Sequence, residues 1–260
     1  MVKSVWTGRI TFGLVSVPVR LYTAVQSHDI GFHYLHSKDL QRVHMKYHCG
    51  KDDEELTRDD LVKGYEYEKG EYIVIEDADL EAIEPHSSSS IDLLKFVNAD
   101  ELDPVYFEHS YYVGPDKDAD KTFALLTEAM EKKKKAAVGK LFMRDHEYLA
   151  FIRPAHGGLV LQTLLYADEV RTNEIKVKKS TQVRYKELQL AEQIIENLSD
   201  ELNIEEFKDE YHERVESMLD AKVKGKKVRK FKERPKKTIP NLMEALQHSV
   251  KQTQKLKKSA

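Results

Sequence analysis

The side chains of this sequence best suited to chemistry are lysines and arginines, and the chemistry they suit is contact with phosphate. Basic residues recur through positions 36–69 among acidic ones, and Arg20 lies on the polar face of an alternating segment. Such cations neutralise nucleic-acid phosphates without reading the bases, although a run of mixed charge is also typical of a solvated surface. The candidate DNA contacts in this part of the chain are Arg20, Lys38, Arg42, Lys46 and Lys63.

A second group of cations is concentrated near the C-terminus. Residues 222–260 contain fourteen Lys or Arg and two Glu, whereas the first 221 residues contain 28 basic and 43 acidic side chains. An acidic body with a strongly basic tail is a layout typical of nucleic-acid binding. Because the body is acidic, it can contact phosphate only through a segregated basic surface. The candidate contacts in the tail are Lys224, Lys226, Lys227, Arg229 and Lys230.

Residues that could support catalysis or bind a metal are few. His44, His48 and Cys49 lie close together, but structural zinc sites normally use paired cysteines and this chain has one. The group is either the remnant of a metal site or a plain loop. The acidic residues of positions 77–81 fall where a helix is expected to begin, and the sequence has no Gly-rich phosphate loop, Gly-x-Ser-x-Gly or His-Glu-x-x-His motif. We therefore predict a protein that is not an enzyme and has no metal and no cofactor.

The elements that must position these cations are mostly strands up to about residue 186. Apolar residues alternate through positions 10–25, and their phase changes at Leu14 and Val15, which predicts a long strand with a bulge or bend. Pro18 restricts this strand to an edge or irregular position. A turn at Lys69-Gly70 predicts a hairpin over residues 64–75. Further strands are predicted at residues 91–97, 105–113, 139–153 and 158–166, with one helix near residues 120–137.

That helix is expected to have an acidic N-cap, and the lysines that end it, residues 132–135, are favoured there by the helix dipole. Many strands with one inserted helix indicate a β-barrel or a sandwich. After residue 186 the apolar spacing becomes helical and predicts a helical hairpin, whose second helix is capped by Asn203. Residues 222–237 hold too few apolar side chains to fold alone and should be disordered when free. A short helix is predicted around residues 242–250.

Four blocks of residues together resemble the bacterial Ku family, from about residue 2 to about residue 225. The first is WTGRITFGLVSVPVRLY at residues 6–22, in which Arg20 occupies the family's basic position, and the second is VKGYEYEKGEY at residues 62–72. The third spans residues 91–115 and includes LDPVY and SYYV. The fourth spans residues 139–171 and includes RP, HGGL and LYADEVR. The blocks occur in unbroken order, which makes the resemblance specific.

The resemblance implies a β-barrel whose inserted arms interlock across a two-fold axis, forming a ring that threads a DNA end, and a C-terminal segment that recruits ligase D. We therefore expect a mostly β fold with helices, of the Ku barrel type. Residues 1–186 would form the core with an arm inserted at about 26–75, residues 187–221 a helical segment that docks the ligase, and residues 222–260 a flexible basic tail. The expected partners are double-stranded DNA ends, bacterial ligase D and a second copy of the chain.

Three functional hypotheses follow, from different classes of protein. The first is a non-catalytic, sequence-independent homodimer that binds DNA ends in non-homologous end joining. The second is a nucleic-acid chaperone without end specificity, in which residues 222–260 do all the binding. The third, a metal-dependent nuclease, lacks the expected ligands. No apolar run approaches the roughly 18 residues of a membrane helix, and the first residues lead directly into a strand pattern. Together with the single cysteine, this predicts a cytoplasmic, nucleoid-associated protein.

Overall fold

The computed structural model describes residues 3–83, 89–171, 183–227 and 241–257. The chain divides into two compact units, Met1–Glu174 and Ile175–Ala260. In chain order, the strands are β1 (Trp6–Phe12), β2 (Val15–Thr23), β3 (Tyr47–His48), β4 (Glu55–Leu56), β5 (Lys63–Glu68), β6 (Glu71–Ile75), β7 (Ser90–Val97), β8 (Phe107–Pro115), β9 (Ala136–Met143), β10 (His146–Ala155) and β11 (Gly158–Leu164). The helices are α1 (Asp77–Ile83), α2 (Asp120–Lys133), α3 (Tyr185–Leu198), α4 (Glu210–Val223) and α5 (Leu242–Lys257).

Seven strands of the first unit form a closed barrel in the order β1-β2-β8-β11-β10-β9-β7. Every neighbouring pair is antiparallel except β1 and β7, which run parallel and close the barrel through the pairing of Arg9–Thr11 with Ser90–Asp92. Closure gives every barrel strand a neighbour on both sides, although β1 and β7 pair over these three residues alone. The barrel expected from the sequence is therefore confirmed.

The barrel interior is filled by the side chains that alternate along its strands. Val17, Val19 and Leu21 of β2 are fully buried, as the period of two along a strand requires when one face is inside. Helix α2 belongs to the same core, because it buries Phe123 and Leu126 among the barrel residues. Within the described residues, no helix is long and apolar enough to cross a membrane.

Two segments predicted as single strands are hairpins. Residues 10–25 are divided into β1 and β2, which pair from Trp6 with Leu21 to Phe12 with Val15, and the turn between them contains Gly13 at a φ of +58°. Residues 139–153 are likewise divided by Arg144 and Asp145, whose φ angles of 55° and 62° suit a tight hairpin turn. A two-residue turn interrupts the alternation only by a change of phase, so the sequence pattern resembles that of one bent strand.

Three predicted helix boundaries are also wrong. Helix α2 ends at Lys133, not at residue 137, because Lys134 adopts the left-handed conformation and the next residues join β9. Its N-cap is Ala119, which provides no side-chain hydrogen bond, so the acidic cap is absent. Asn203 does not begin the second C-terminal helix. It caps a 3₁₀ turn at Ile204–Glu206, and α4 begins later, with the Asp209 side chain accepting a hydrogen bond from the His212 backbone N–H.

The second unit is organised around α3 and α5 instead of the predicted hairpin of α3 and α4. The face of α3 that carries Asn197 packs against α5, and the Asn197 side-chain amide donates to Thr253 Oγ1 at 3.2 Å. Val250 and Thr253 of α5 are 8% and 7% exposed. The predicted short helix at residues 242–250 is present and extends to Lys257. The predicted disorder of residues 222–237 lies mostly outside the described residues, although α4 continues through Lys222 and Val223.

One glycine in the barrel allows a close approach between two strands and provides a test of the packing. A Cβ atom at Gly139 of β9 would lie 2.5 Å from the backbone oxygen of Asp92 in β7. We expect Gly139→Ala to lower the free energy of unfolding by about 1–3 kcal/mol or more, because the backbone must move apart. Gly64→Ala is the matched control, since its nearest neighbours are side-chain atoms of Tyr72 at 3.7 Å. Chemical denaturation measures both, and equal stabilities would contradict this account of β9.

Candidate nucleic-acid interface

The arm, residues 26–75, leaves the barrel after β2 and contains no buried residue. It consists of a β-bridge between Leu35 and Arg42, the small sheet of β3 and β4, and the hairpin of β5 and β6. Backbone hydrogen bonds hold each piece together, but apolar burial does not. The hairpin confirms the strands predicted at residues 64–75. The arm therefore has secondary structure without a hydrophobic core of its own.

Large apolar side chains of the arm are exposed over its whole length. Met45 is fully exposed, and Tyr34 and Val62 are 86% and 74% exposed. Single exposed apolar residues are normal, whereas a contiguous series of them marks an interaction surface. The exposed set comprises Phe32, Tyr34, Leu35, Leu40, Val43, Met45, Tyr47, Leu61, Val62, Tyr65, Tyr67, Tyr72, Ile73 and Val74.

Lys38 and Arg42 occupy the first loop of the arm, and both side chains are exposed. The loop is held by backbone hydrogen bonds between His36 and Gln41, and Lys38 lies at its turn. The neighbouring carboxylate of Asp39 is engaged by the backbone N–H of Gln41 and lies 2.9 Å from His36 Nδ1. Among the described residues, no carboxylate pairs with Lys38 or Arg42, so both charges remain available to an anionic partner.

Lys46 and Lys63 each form an exposed ion pair. The Lys46 Nζ lies 2.7 Å from Glu55, and the Lys63 Nζ lies 2.9 Å from Asp77 at the start of α1. The hydrogen bond to Asp77 raises the pKa of Lys63. Exposed ion pairs contribute little stability, so a phosphate can displace either carboxylate at small cost. The structure thus leaves both predictions open, with a local competitor for each cation.

Arg20 is held by a carboxylate that the sequence did not reveal as its partner. Its Nε donates to Asp116 Oδ1 at 2.8 Å and a terminal guanidinium nitrogen lies 2.7 Å from the same oxygen. The backbone N–H of Lys117 and the Arg20 guanidinium lower the pKa of Asp116, so the carboxylate stays charged. Arg20 therefore joins β2 to the end of β8. A phosphate could bind only the guanidinium N–H groups of Arg20 that Asp116 does not occupy.

The tail candidates fall at the end of α4 and beyond it. Lys224 is the C-cap of α4 and lies 3.7 Å from Asp220, one helical turn away. Lys226 and Lys227 are exposed, and no carboxylate of the described residues pairs with them. Arg229 and Lys230 lie outside the described residues. The cations predicted in the arm and in the tail belong to different compact units.

The possible metal ligands of the arm do not converge. Cys49 is half-buried in the turn between β3 and β4, and its backbone pairs with Glu54. His48 Nδ1 lies 3.2 Å from the backbone oxygen of Asp53. Within the described ranges, no group of three or more His, Cys, Asp or Glu side chains is arranged to hold a metal ion. The local contacts account for His48 and Cys49 as parts of a turn.

The sequence of the arm, polar and poor in core residues, predicts that its apolar side chains are exposed in a single chain and buried by a partner's arm, and the exposure is observed. Within the arm, Tyr65 and Tyr67 alternate and are followed by Tyr72 and Ile73 across the turn. That pattern predicted a hairpin, and both faces of the hairpin are exposed. The feature of the arm that points to function is therefore its apolar surface as much as its cations.

A closed barrel with an exposed, cation-bearing arm that lacks a core defines a binding protein built on a β-barrel. Residues 11–190 match the family model described as the Ku70/Ku80 beta-barrel domain. The chain is 42% identical over 258 residues to a protein of Solibacter usitatus, covering 99% of this chain and 97% of the relative. It is 40% identical to one from Koribacter versatilis over 96% of this chain and 86% of the relative, and 38% identical to one from Archaeoglobus fulgidus over 87% and 90%.

Each of these relatives carries the name non-homologous end joining protein Ku. This chain belongs to the Ku family. The resemblance inferred from the four sequence blocks is thereby confirmed.

Proposed function

We propose that this chain functions as a homodimer that binds the ends of double-stranded DNA without reading their sequence, in the repair of breaks by non-homologous end joining. Family membership and the names of the relatives support the pathway. The main support for a dimer comes from the arm, which exposes fourteen large apolar side chains and buries none. A second arm, related by a two-fold axis, is the partner that covers such a surface in a self-complementary way.

In this proposal the two arms close a ring, and the DNA passes through it. Lys38 and Arg42 suit phosphate contact, because they are exposed and no described carboxylate pairs with them. Lysine and arginine contacts of this kind are indifferent to base sequence. End specificity then comes from topology, since a closed ring can be entered only by a DNA end. The proposed contacts remain Arg20, Lys38, Arg42, Lys46, Lys63 and the five cations of the tail.

The proposal includes docking of ligase D on the segment that contains α4. Phe207 and Tyr211 are each 72% exposed, and acidic side chains surround them in the sequence. Exposed aromatic residues within a charged rim are typical of protein interfaces, and a basic surface on the ligase would complement this one. The acidic residues are Glu205, Glu206, Asp209, Glu210, Glu213 and Glu216, all of which are exposed.

The protein in this proposal holds DNA ends and does not transform them, so it needs neither a cofactor nor a metal. The chemistry of joining belongs to the ligase. A cytoplasmic location in association with the nucleoid is part of the same proposal, because chromosomal DNA ends are the substrate. Microscopy of a fluorescent fusion before and after induced breaks measures that association.

The dimer is tested by sedimentation of the full chain. At low micromolar concentration we expect one species of about twice the chain mass of 30.2 kDa, because the exposed arm is covered only in the dimer. Met45→Asp should shift the population toward the monomer, since it places a charge within the apolar surface. Leu14→Asp is the matched control, because Leu14 is as exposed as Met45 but lies in the turn between β1 and β2. A folded, stable monomer of the native chain would refute the ring.

A further inference from the structure

A second apolar surface lies on the barrel, outside the arm. It is a groove of about 430 Å³ between α2 and the seam where β1 and β7 meet. Phe12, Phe96, Leu126 and Met130 lie along it, and the rings of Phe12 and Phe96 meet edge to face at 6.5 Å. Leu125 is 69% exposed on its α2 wall. None of these residues belongs to the arm, so the proposed dimer contact does not account for the groove.

One end of the groove is strongly basic. Lys133 and Lys135 line it, and they belong to the run of four lysines at residues 132–135. The helix dipole accounts for cations in the last turn of α2, but Lys134 and Lys135 lie beyond the helix. Lys134 moreover has a φ of 52°, a conformation that glycine adopts at lower cost. The backbone does not explain why lysine is present there.

The charges of this cluster are not neutralised locally. Lys132, Lys133 and Lys134 have no carboxylate partner among the described residues, and Lys135 donates to the neutral Asn98 Oδ1 at 2.6 Å. An apolar groove with unpaired cations at its end complements a ligand that is apolar along its length and anionic at its flank. Nucleic acid does not fit the apolar part, because its outer surface is phosphate and sugar.

The seam beside the groove also leaves part of a strand without a neighbour on one side. β7 pairs with β1 only over Ser90–Asp92, and from Leu93 to Val97 it pairs with β9 alone. Unpaired backbone groups on a strand edge bind extended peptides through main-chain hydrogen bonds. Phe96, which lines the groove, lies on this part of β7. The edge therefore favours a peptide over a small molecule as the ligand.

We propose that this groove, hereafter the α2 groove, docks a short acidic peptide segment of another protein, with leucine or phenylalanine side chains in the groove and carboxylates on Lys133 to Lys135. Through this segment the DNA-bound dimer would bind a second partner, distinct from the one that docks on the acidic surface around α4. The two surfaces have opposite charge, so they select different partners. This site is independent of the proposed dimer contact and of DNA binding.

Fluorescence anisotropy with a defined probe tests the proposal on the native full-length protein. The probe is a labelled peptide of about twelve residues in which Asp and Glu alternate with Leu and Phe, and it should bind with a micromolar dissociation constant. Two control peptides replace either the acids by lysine or the Leu and Phe by serine. Both should bind at least about tenfold more weakly, because each removes one half of the recognition.

Variants of the protein locate the binding. Leu125→Glu places a negative charge in the α2 groove at an exposed helical position and should weaken probe binding about tenfold or more. Lys133→Glu should do the same, whereas Lys132→Glu, an identical change one residue outside the groove lining, should weaken it about threefold or less. Thermal denaturation should show all three variants folded. Their binding to linear duplex DNA should match that of the native chain.

Several results would contradict the proposal that the α2 groove docks an acidic peptide. Absence of probe binding to the native protein would show that the groove is closed or already covered by a second copy of the chain. Equal binding by native protein and Leu125→Glu would place the peptide elsewhere. If Lys133→Glu weakened DNA binding while leaving probe binding intact, the lysine cluster would serve phosphate instead.

Discussion

A dimer bound to a linear duplex before the duplex is closed into a circle should remain bound through a high-salt wash. A dimer added to a circle that is already closed should wash off. The difference is expected because a protein ring that encloses circular DNA can leave it only by opening. Contacts between cations and phosphates, in contrast, weaken as the salt concentration rises. Retention after each order of addition, measured by pull-down of the labelled duplex, should differ by more than about tenfold, because only the threaded dimer must open its ring before it can leave.

The basic tail must be separated from the ring in this experiment. The triple variant Lys224→Gln, Lys226→Gln and Lys227→Gln neutralises the tail cations nearest α4 while preserving α5, which packs on α3. Each phosphate contact that it removes should lower the slope of log K against log[salt] by about 0.9. Affinity for circular DNA should fall most, because only the tail can bind a molecule without ends. Trapping by circularisation should persist.

Equal retention in the two orders of addition would contradict the threaded ring. The chaperone in which the tail does all the binding would then be the better account. A duplex whose two ends are blocked by hairpin loops too large to pass the ring provides the matched substrate. Its duplex part carries the same phosphates as the open duplex and the loops only add more, so any loss of binding reports on the ends.

Stimulation of ligase D should be lost when the acidic surface around α4 is reversed in charge. Glu205 and Glu213 are exposed and have no ion-pair partner among the described residues, so Glu205→Lys with Glu213→Lys changes charge without breaking a described contact. We expect at least a tenfold loss of stimulation at limiting protein, or about 1.4 kcal/mol of docking free energy. The measurement is the rate of end ligation with and without the variant.

The control for this prediction is Glu192→Lys, which makes the same change at an exposed position of α3. It should stimulate the ligase as the native protein does. Deletion of residues 187–260 should abolish stimulation while preserving end binding, because the barrel and the arm both lie in the first compact unit. If the truncated protein stimulated the ligase fully, the docking surface would lie outside the second unit. If the double variant stimulated the ligase normally but the truncated protein did not, the docking site would lie within residues 187–260 but would not depend on Glu205 and Glu213.

Much of this protein was predictable from local patterns in the sequence. The alternation of apolar residues along Val17, Val19 and Leu21 identified a strand with one buried face, and these three side chains are fully buried. The Lys69-Gly70 turn identified the hairpin of β5 and β6. Helical spacing located α3, and the density of lysine and arginine located the tail. Each of these properties depends on residues within a few positions of one another, so a single sequence carries it.

Other features were decided only by contacts between residues far apart in the chain. The barrel closes where Arg9–Thr11 meets Ser90–Asp92, about eighty residues later, and no local pattern specifies that parallel pairing. Arg20 was predicted as a DNA contact, but nothing in the sequence indicated its ion pair with Asp116, which forms because β2 and β8 are neighbours. α3 was expected to pair with the next helix, but it packs against α5, whose Thr253 accepts a hydrogen bond from Asn197.

The functional surfaces divide in the same way. The sequence by itself determined that cations are concentrated in the arm and in the tail, and its four blocks of residues identified the family. The scarcity of core residues in the arm also predicted that its apolar side chains are exposed in a single chain, as they are. Only the tertiary structure showed that α2 and the barrel seam form a groove beside the lysine cluster. The physical reason is that residue type determines which groups prefer to be buried. Which of them are left without a partner depends on the packing of the whole chain.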